Sequence, residues 1–236
     1  MLRLSASEIM SFDMNSFGIR QKWIAAAIGA AFMVIALVPQ IITQEIPSIV
    51  FILRYGASKG IQLLSEFELS NPIIWGLFIG GTAAFYQESM KYFAVNTQSK
   101  YLSFWIGLGF ALIDIAVLLI QSTIPLQRTH SLLLLVLISL NAISSLMFHP
   151  GTALILKFGR TVRRGVYFLL FTILLHGVED GGLVFVDVFV LKHPSLYLTT
   201  VTAFWVASIA ISLISLILGL HYKGILLSKK DDENLI

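Results

Sequence analysis

Cysteine is absent from the 236 residues, which excludes disulfides, thiolate metal sites and a cysteine nucleophile and leaves thiol usage silent on redox compartment. Charge is scarce too: Asp, Glu, Lys and Arg make up 12% of the chain, where a soluble domain carries about one quarter. Apolar residues fill the space instead. They reach 57% of the chain, with a mean hydropathy of +0.86, a composition suited to a bilayer. The net charge of +3 is small, and the Lys and Arg residues fall in short segments between apolar runs. That pattern predicts membrane orientation and no nucleic-acid partner. Any metal ion would have to be held by His, Asp or Glu.

About 20 apolar residues cross a bilayer as a helix, and runs of that kind stand at residues 23–43, 72–96, 101–122, 131–158, 165–191 and 196–222. We therefore expect an all-α fold, a polytopic transmembrane helical bundle of about six spans. It would form a single integral membrane domain over residues 1–236, multi-pass in the cell membrane and surrounded by lipid. The first 22 residues mix Arg3, Glu8, Asp13, Arg20 and Lys22 with apolar positions, and the apolar run behind them lacks a convincing cleavage site. That long run reads as an anchor and not as a signal peptide, with the N-terminus lying on the membrane surface. Residues 45–70 differ from the spans, because their apolar stretch is short and Arg54 and Lys59 would sit near its centre. Each such charge at mid-bilayer costs about 2.5 to 3.5 kcal/mol, so an interfacial or re-entrant helix is expected there.

Basic residues divide unevenly between the two sides that six spans create. One side takes Arg3, Arg20, Lys22, Lys91, Lys100, Lys157, Arg160, Arg163, Arg164, Lys223, Lys229 and Lys230, twelve of the sixteen, and the other takes Arg54, Lys59, Arg128 and Lys192. The excess places both termini in the cytoplasm. The tail Lys229, Lys230, Asp231, Asp232 and Glu233 reads as a solvated end, and Trp23, Trp75, Trp105 and Trp205 as anchors or packing residues near span ends.

Ionisable groups inside spans are costly and are functional candidates until a structural partner explains them. The second span carries Gln87, Glu88 and Lys91, the last two spaced to share a helix face; a self-neutralising pair at the interface is the plainer explanation. The third carries Gly107, Gly109 and Asp114, where the glycines permit close helix approach and Asp114 is either a hydrogen-bonding or a catalytic residue. In the fourth, Pro150 follows His149 and frees a backbone carbonyl one turn earlier. In the fifth, His176 and Asp180 stack one turn apart beside Glu179, with Asp187 about two turns further along. Such a His and Asp pair orients an imidazole tautomer, relays a proton or binds a metal. At 1.5 Å per residue, His149, His176 and Asp114 lie roughly 10 to 20 Å from the cytoplasmic basic residues, a depth at which three spans could converge on one cavity.

The order of these motifs resembles a superfamily of multipass intramembrane proteases that includes the PrsW and YhfC families and the CAAX prenyl endopeptidases. The resemblance covers about residues 72–190 and rests on Gln87-Glu88-Ser89-Met90-Lys91, Gly107 to Asp114, Phe148-His149, and His176-Gly-Val-Glu-Asp180. It implies an intramembrane peptidase, a hydrolase acting on a membrane protein or peptide. Glu88, His149, His176 and Asp180 would then be catalytic, supported by Gln87, Lys91 and Asp114, with zinc held by His149 and His176 if a metal is used. The chain departs from the family pattern at Gln87, which stands where the first Glu usually activates water; a carboxamide cannot act as a base. The superfamily also includes the non-catalytic scaffold subunit of gamma-secretase, which the run from Leu174 to Asp187 resembles. A pseudoenzyme working inside a membrane-protein complex is therefore the alternative. A haem-binding or proton-conducting protein is another, since two histidines on adjacent spans can ligate iron axially.

Overall fold

A computed structural model describes residues 18–129 and 131–233, with side chains for 18–123 and 131–225. Residues 1–17 of the N-terminus expected on the membrane surface, and the side chains of the tail, lie outside the described residues. Seven α-helices account for nearly all the rest: α1 (Ile19–Tyr55), α2 (Ala57–Ser70), α3 (Pro72–Ala94), α4 (Ser103–Thr129), α5 (Leu132–Thr161), α6 (Gly165–Lys192) and α7 (Tyr197–Glu233). Single turns of 3₁₀-helix at Lys100–Leu102 and Pro194–Leu196 lead into α4 and α7.

Among the described residues, α1, α4 with its leading turn, α5, α6, and α7 with its leading turn are long and apolar enough to cross a membrane. These five apolar helices make an all-α helical bundle of membrane-protein character. Large apolar side chains lie on its outside, Leu132 76% exposed and Ile120 73%, while Glu88 and Lys91 are wholly buried. Water as solvent would reverse that distribution. The run expected at residues 72–96 is the helix α3, which falls outside the five because Gln87, Glu88, Ser89 and Lys91 interrupt its apolar stretch.

The boundary expected at residue 45 is displaced. Residues 45–55 continue α1, which runs through Pro39 and Pro47 for 37 residues and ends with Arg54 in its last turn. A basic side chain there is favourable because the carbonyl end of a helix carries partial negative charge. The break comes at Gly56, whose φ of 80° lies in the left-handed region that glycine enters without strain. The chain then reverses into α2, and buried Gly60 brings α2 against the Phe51 carbonyl of α1. With 14 residues, α2 is about 21 Å long, short of a bilayer core.

The chain divides into two compact units. One comprises residues 1–33, 91–168 and 212–236, the other residues 34–90 and 169–211. In the first, Gly29 of α1 meets the Ile106 carbonyl of α4, and Gly109 of α4 meets the Ala26 carbonyl in return. Gly107 lies against His149 and Pro150, and Gly151 of α5 against Ser215 and Leu216 of α7. Phe158 stacks on Tyr222 at 4.3 Å between ring centres, with Phe168 edge-on to both.

In the second unit, α3 and α6 cross on glycines. A β-carbon at Gly80 would fall on the backbone of Gly181, and one at Gly181 on the carbonyl of Gly76. Small residues let helices approach until backbone touches backbone, the main source of attraction where the surroundings are as apolar as the side chains. Gly81, in contrast, faces open space. Gly80→Val should therefore lower the thermal midpoint of the detergent-solubilised protein by the equivalent of about 1 to 3 kcal/mol of overpacking, while Gly81→Ala leaves it unchanged. Equal midpoints for the two variants would contradict the crossing.

Candidate functional site

The polar turn of α3 is the source of the site. Consecutive residues of a helix point about 100° apart, so four polar side chains in a row cannot share one neighbour. In the second unit they reach two different helices. Tyr86 Oη lies 3.1 Å from Thr43 Oγ1 of α1, and Gln87 Nε2 donates to Gln40 Oε1 of α1 at 3.0 Å. Glu88 turns to α6, its Oε1 lying 2.8 Å from His176 Nδ1. On the other side of the ring, His176 Nε2 is 3.4 Å from Asp180 Oδ2, one helical turn along.

Glu88, His176 and Asp180 thus form a carboxylate, imidazole, carboxylate chain. It is graded in burial: Glu88 is fully enclosed, the His176 side chain is 6% exposed and that of Asp180 38%. A neutral imidazole donates one N–H; only the imidazolium donates to both acids. The chain can therefore hold Glu88 as an oriented carboxylate and pass a proton between an enclosed acid and one open to the surroundings. Nearby on α6, Glu179 Oε1 accepts from Ser208 Oγ of α7 at 3.4 Å. Asp187 lies exposed on the same helix.

The first unit carries a second polar group. Lys91 Nζ donates to Thr152 Oγ1 at 2.9 Å and lies 5.3 Å from the centre of the Phe110 ring and 5.6 Å from that of Phe148. Aromatic faces and a hydroxyl are favourable neighbours for an ammonium in an apolar interior. Thr152 in turn donates to the His149 carbonyl at 3.3 Å, and His149 Nε2 is 3.7 Å from Asp114 Oδ2. At 3.7 Å that is an electrostatic contact, longer than a hydrogen bond. Lys91 is accordingly an interior residue and not the loop residue of the orientation count.

Of the residues expected from sequence, the structure joins Glu88 with His176 and Asp180, and His149 with Asp114. Gln87 faces Gln40, and its buried Oε1 has no hydrogen-bond partner among the described residues. Sequence reasoning missed Gln40 and Thr152, and gave Phe110 and Phe148, which lie within the motifs, no role beside Lys91. Gln40, next to Pro39 within an apolar run, is a visible signal; nothing in the sequence marks either phenylalanine as facing a buried ammonium. Among the described residues, no group of three or more His, Asp or Glu gathers to hold a metal ion, and both nitrogens of His176 face carboxylates. No protein-family model, curated protein or solved structure matches the chain.

The Lys91 and Thr152 pair is testable through stability. Thr152→Val removes an acceptor from a buried ammonium and should cost about 1 to 3 kcal/mol. Combining it with Lys91→Met should cost less than the sum of the single changes, as a double-mutant cycle by denaturant titration in detergent would show. Simple additivity would mean that the two side chains do not interact.

Proposed function

We propose that this protein is an intramembrane peptidase of the PrsW and YhfC kind, with Glu88 as its general base. The observation that carries this reading is the 2.8 Å approach of His176 to Glu88, with Asp180 on the second ring nitrogen. It also answers the departure at Gln87. The carboxamide is turned to Gln40, whereas the residue turned to the histidine is a carboxylate. A base must be both chemically able and held in place, and position 88 satisfies both conditions.

In the hydrolytic step, Glu88 takes a proton from water while the water oxygen attacks the scissile carbonyl carbon. The carbon to nitrogen bond then breaks, and the proton returns to the departing amine. His176 orients Glu88, and Asp180 orients His176 and offsets the positive charge its ring gains on protonation. The substrate is a membrane protein or peptide, because the base lies among apolar helices. A scaffold would use the same pair merely to tie α3 to α6, so turnover separates the two roles.

Purified protein in lipid vesicles, given a library of single-span peptides and followed by mass spectrometry, should release cleaved products. Glu88→Gln should lower the rate by about 10²- to 10⁴-fold, the usual weight of a general base, with the thermal midpoint confirming a folded variant. Undiminished cleavage by Glu88→Gln would remove it as the base. Absence of cleavage by the wild type, with His176→Ala disrupting assembly, would favour the scaffold.

The reading includes six spans, α3 being the sixth, in the cell membrane with both termini cytoplasmic. Supporting this, Lys100, Lys157, Arg160, Arg163 and Arg164 cluster around the α3 to α4 and α5 to α6 connections. Reporter fusions after Gln98 and Arg163 should report the cytoplasm, and fusions after Asn71 and His193 the opposite side. Identical sides for Asn71 and Gln98 would remove α3 from the spans.

A further inference from the structure

We infer that the connection between α5 and α6 holds a binding site for a phosphate-bearing anion, the headgroup of an acidic phospholipid or a soluble phosphate compound. A cavity of about 330 Å³ opens there, lined by Tyr92, Arg160, Arg163, Arg164, Val166 and Tyr167, with Gly165 completing the wall. All belong to one compact unit. Three arginines and two tyrosines line a space of ligand size, and no acidic side chain lines it.

The backbone is shaped to make this concavity. Val162 and Arg164 donate their amides back to Phe158 and Gly159 carbonyls, and Arg163 adopts a φ of 59°. A non-glycine residue in the left-handed region is strained and persists only where its surroundings hold it. Here the reversal sets Arg163 and Arg164 immediately before the first turn of α6. Tyr167 and Phe168 donate to the Arg164 carbonyl, which makes Arg164 the cap residue. The amides at the start of a helix point away from its own ladder and carry partial positive charge, which adds to the attraction for an anion.

Tyr92 and Arg160 complete the wall opposite. The Arg160 guanidinium lies 4.6 Å from the centre of the Tyr92 ring, a cation over an aromatic face that orients its donors. A β-carbon at position 165 would overlap the Tyr92 hydroxyl, so glycine at the helix start is what admits that hydroxyl to the site. Arginine matches phosphate better than lysine because its planar fork donates two parallel hydrogen bonds. The site lies at the turn between two helices that are each apolar enough to cross a membrane. That is the level at which phospholipid headgroups sit and at which basic pockets select acidic ones.

The experiment uses the full chain in detergent, probed by native mass spectrometry with phosphatidylglycerol, phosphatidylcholine and inorganic phosphate. Arg163→Gln with Arg164→Gln is the main variant, because it leaves Arg160 on Tyr92; thermal melting confirms that it is folded. Arg163→Lys with Arg164→Lys is the conservative companion. Retention of phosphatidylglycerol over phosphatidylcholine, at least tenfold weaker in the Gln variant and partly restored in the Lys variant, establishes a lipid headgroup site. Inorganic phosphate binding alone, with the same loss in the Gln variant, establishes the same site for a soluble phosphate compound. A wild type that distinguishes none of the three probes, or a preference that the Gln substitutions leave unchanged, overturns the assignment.

Discussion

A polar side chain inside an apolar helical bundle has no water to satisfy it, and an isolated buried charge costs several kcal/mol or more. Each such group must therefore find its partner on a neighbouring helix, and the helices must come close enough for short side chains to touch. The polar turn of α3 imposes this demand most strongly. Glu88 and Gln87, adjacent in sequence, are committed to different helices, His176 on α6 and Gln40 on α1. Moving either neighbour away would leave a buried acid or amide without its counterpart.

Glycine makes the approach achievable. Gly80 stands two turns before Glu88, and Gly181 just over one turn after His176, and the two backbones meet there. A larger residue at either position would force the axes apart and stretch the Glu88 to His176 distance. The first unit repeats the arrangement, with Gly107 of α4 packed on the backbone of His149 and Pro150. Phe110 and Phe148 then face Lys91, and the hydroxyl of Thr152 completes its surroundings. Close packing and polar pairing are thus a single requirement, and the residues with chemical potential are also those that specify how the helices associate.

That coupling separates the two kinds of chemistry in the molecule. The enclosed groups act on one another first, and any turnover must work through an imidazole already held by two carboxylates. The arginines around Arg163 face a different situation, since they line an open cavity at a turn where Arg163 adopts a left-handed backbone.

Much of this was legible in the sequence. The helical class follows from apolar runs too long for a soluble core, and the pairing of His176 with Asp180 from their spacing of one turn, because both depend on local periodicity alone. The end of α1 was misplaced, since charge in residues 45–70 suggested a break near 45 while the backbone breaks at Gly56, where positive φ is adopted. The partners of Glu88 and Lys91 were not legible either. Their spacing on one helix face points only to each other, whereas each also engages a residue more than 60 positions away, His176 and Thr152. Sequence by itself determined which residues are apolar, that they form long helices and which ionisable groups those helices must carry inward. Only the tertiary structure decided which group meets which, because partners on separate helices are set by axis approach and rotation, and neither is encoded in the period of any single helix.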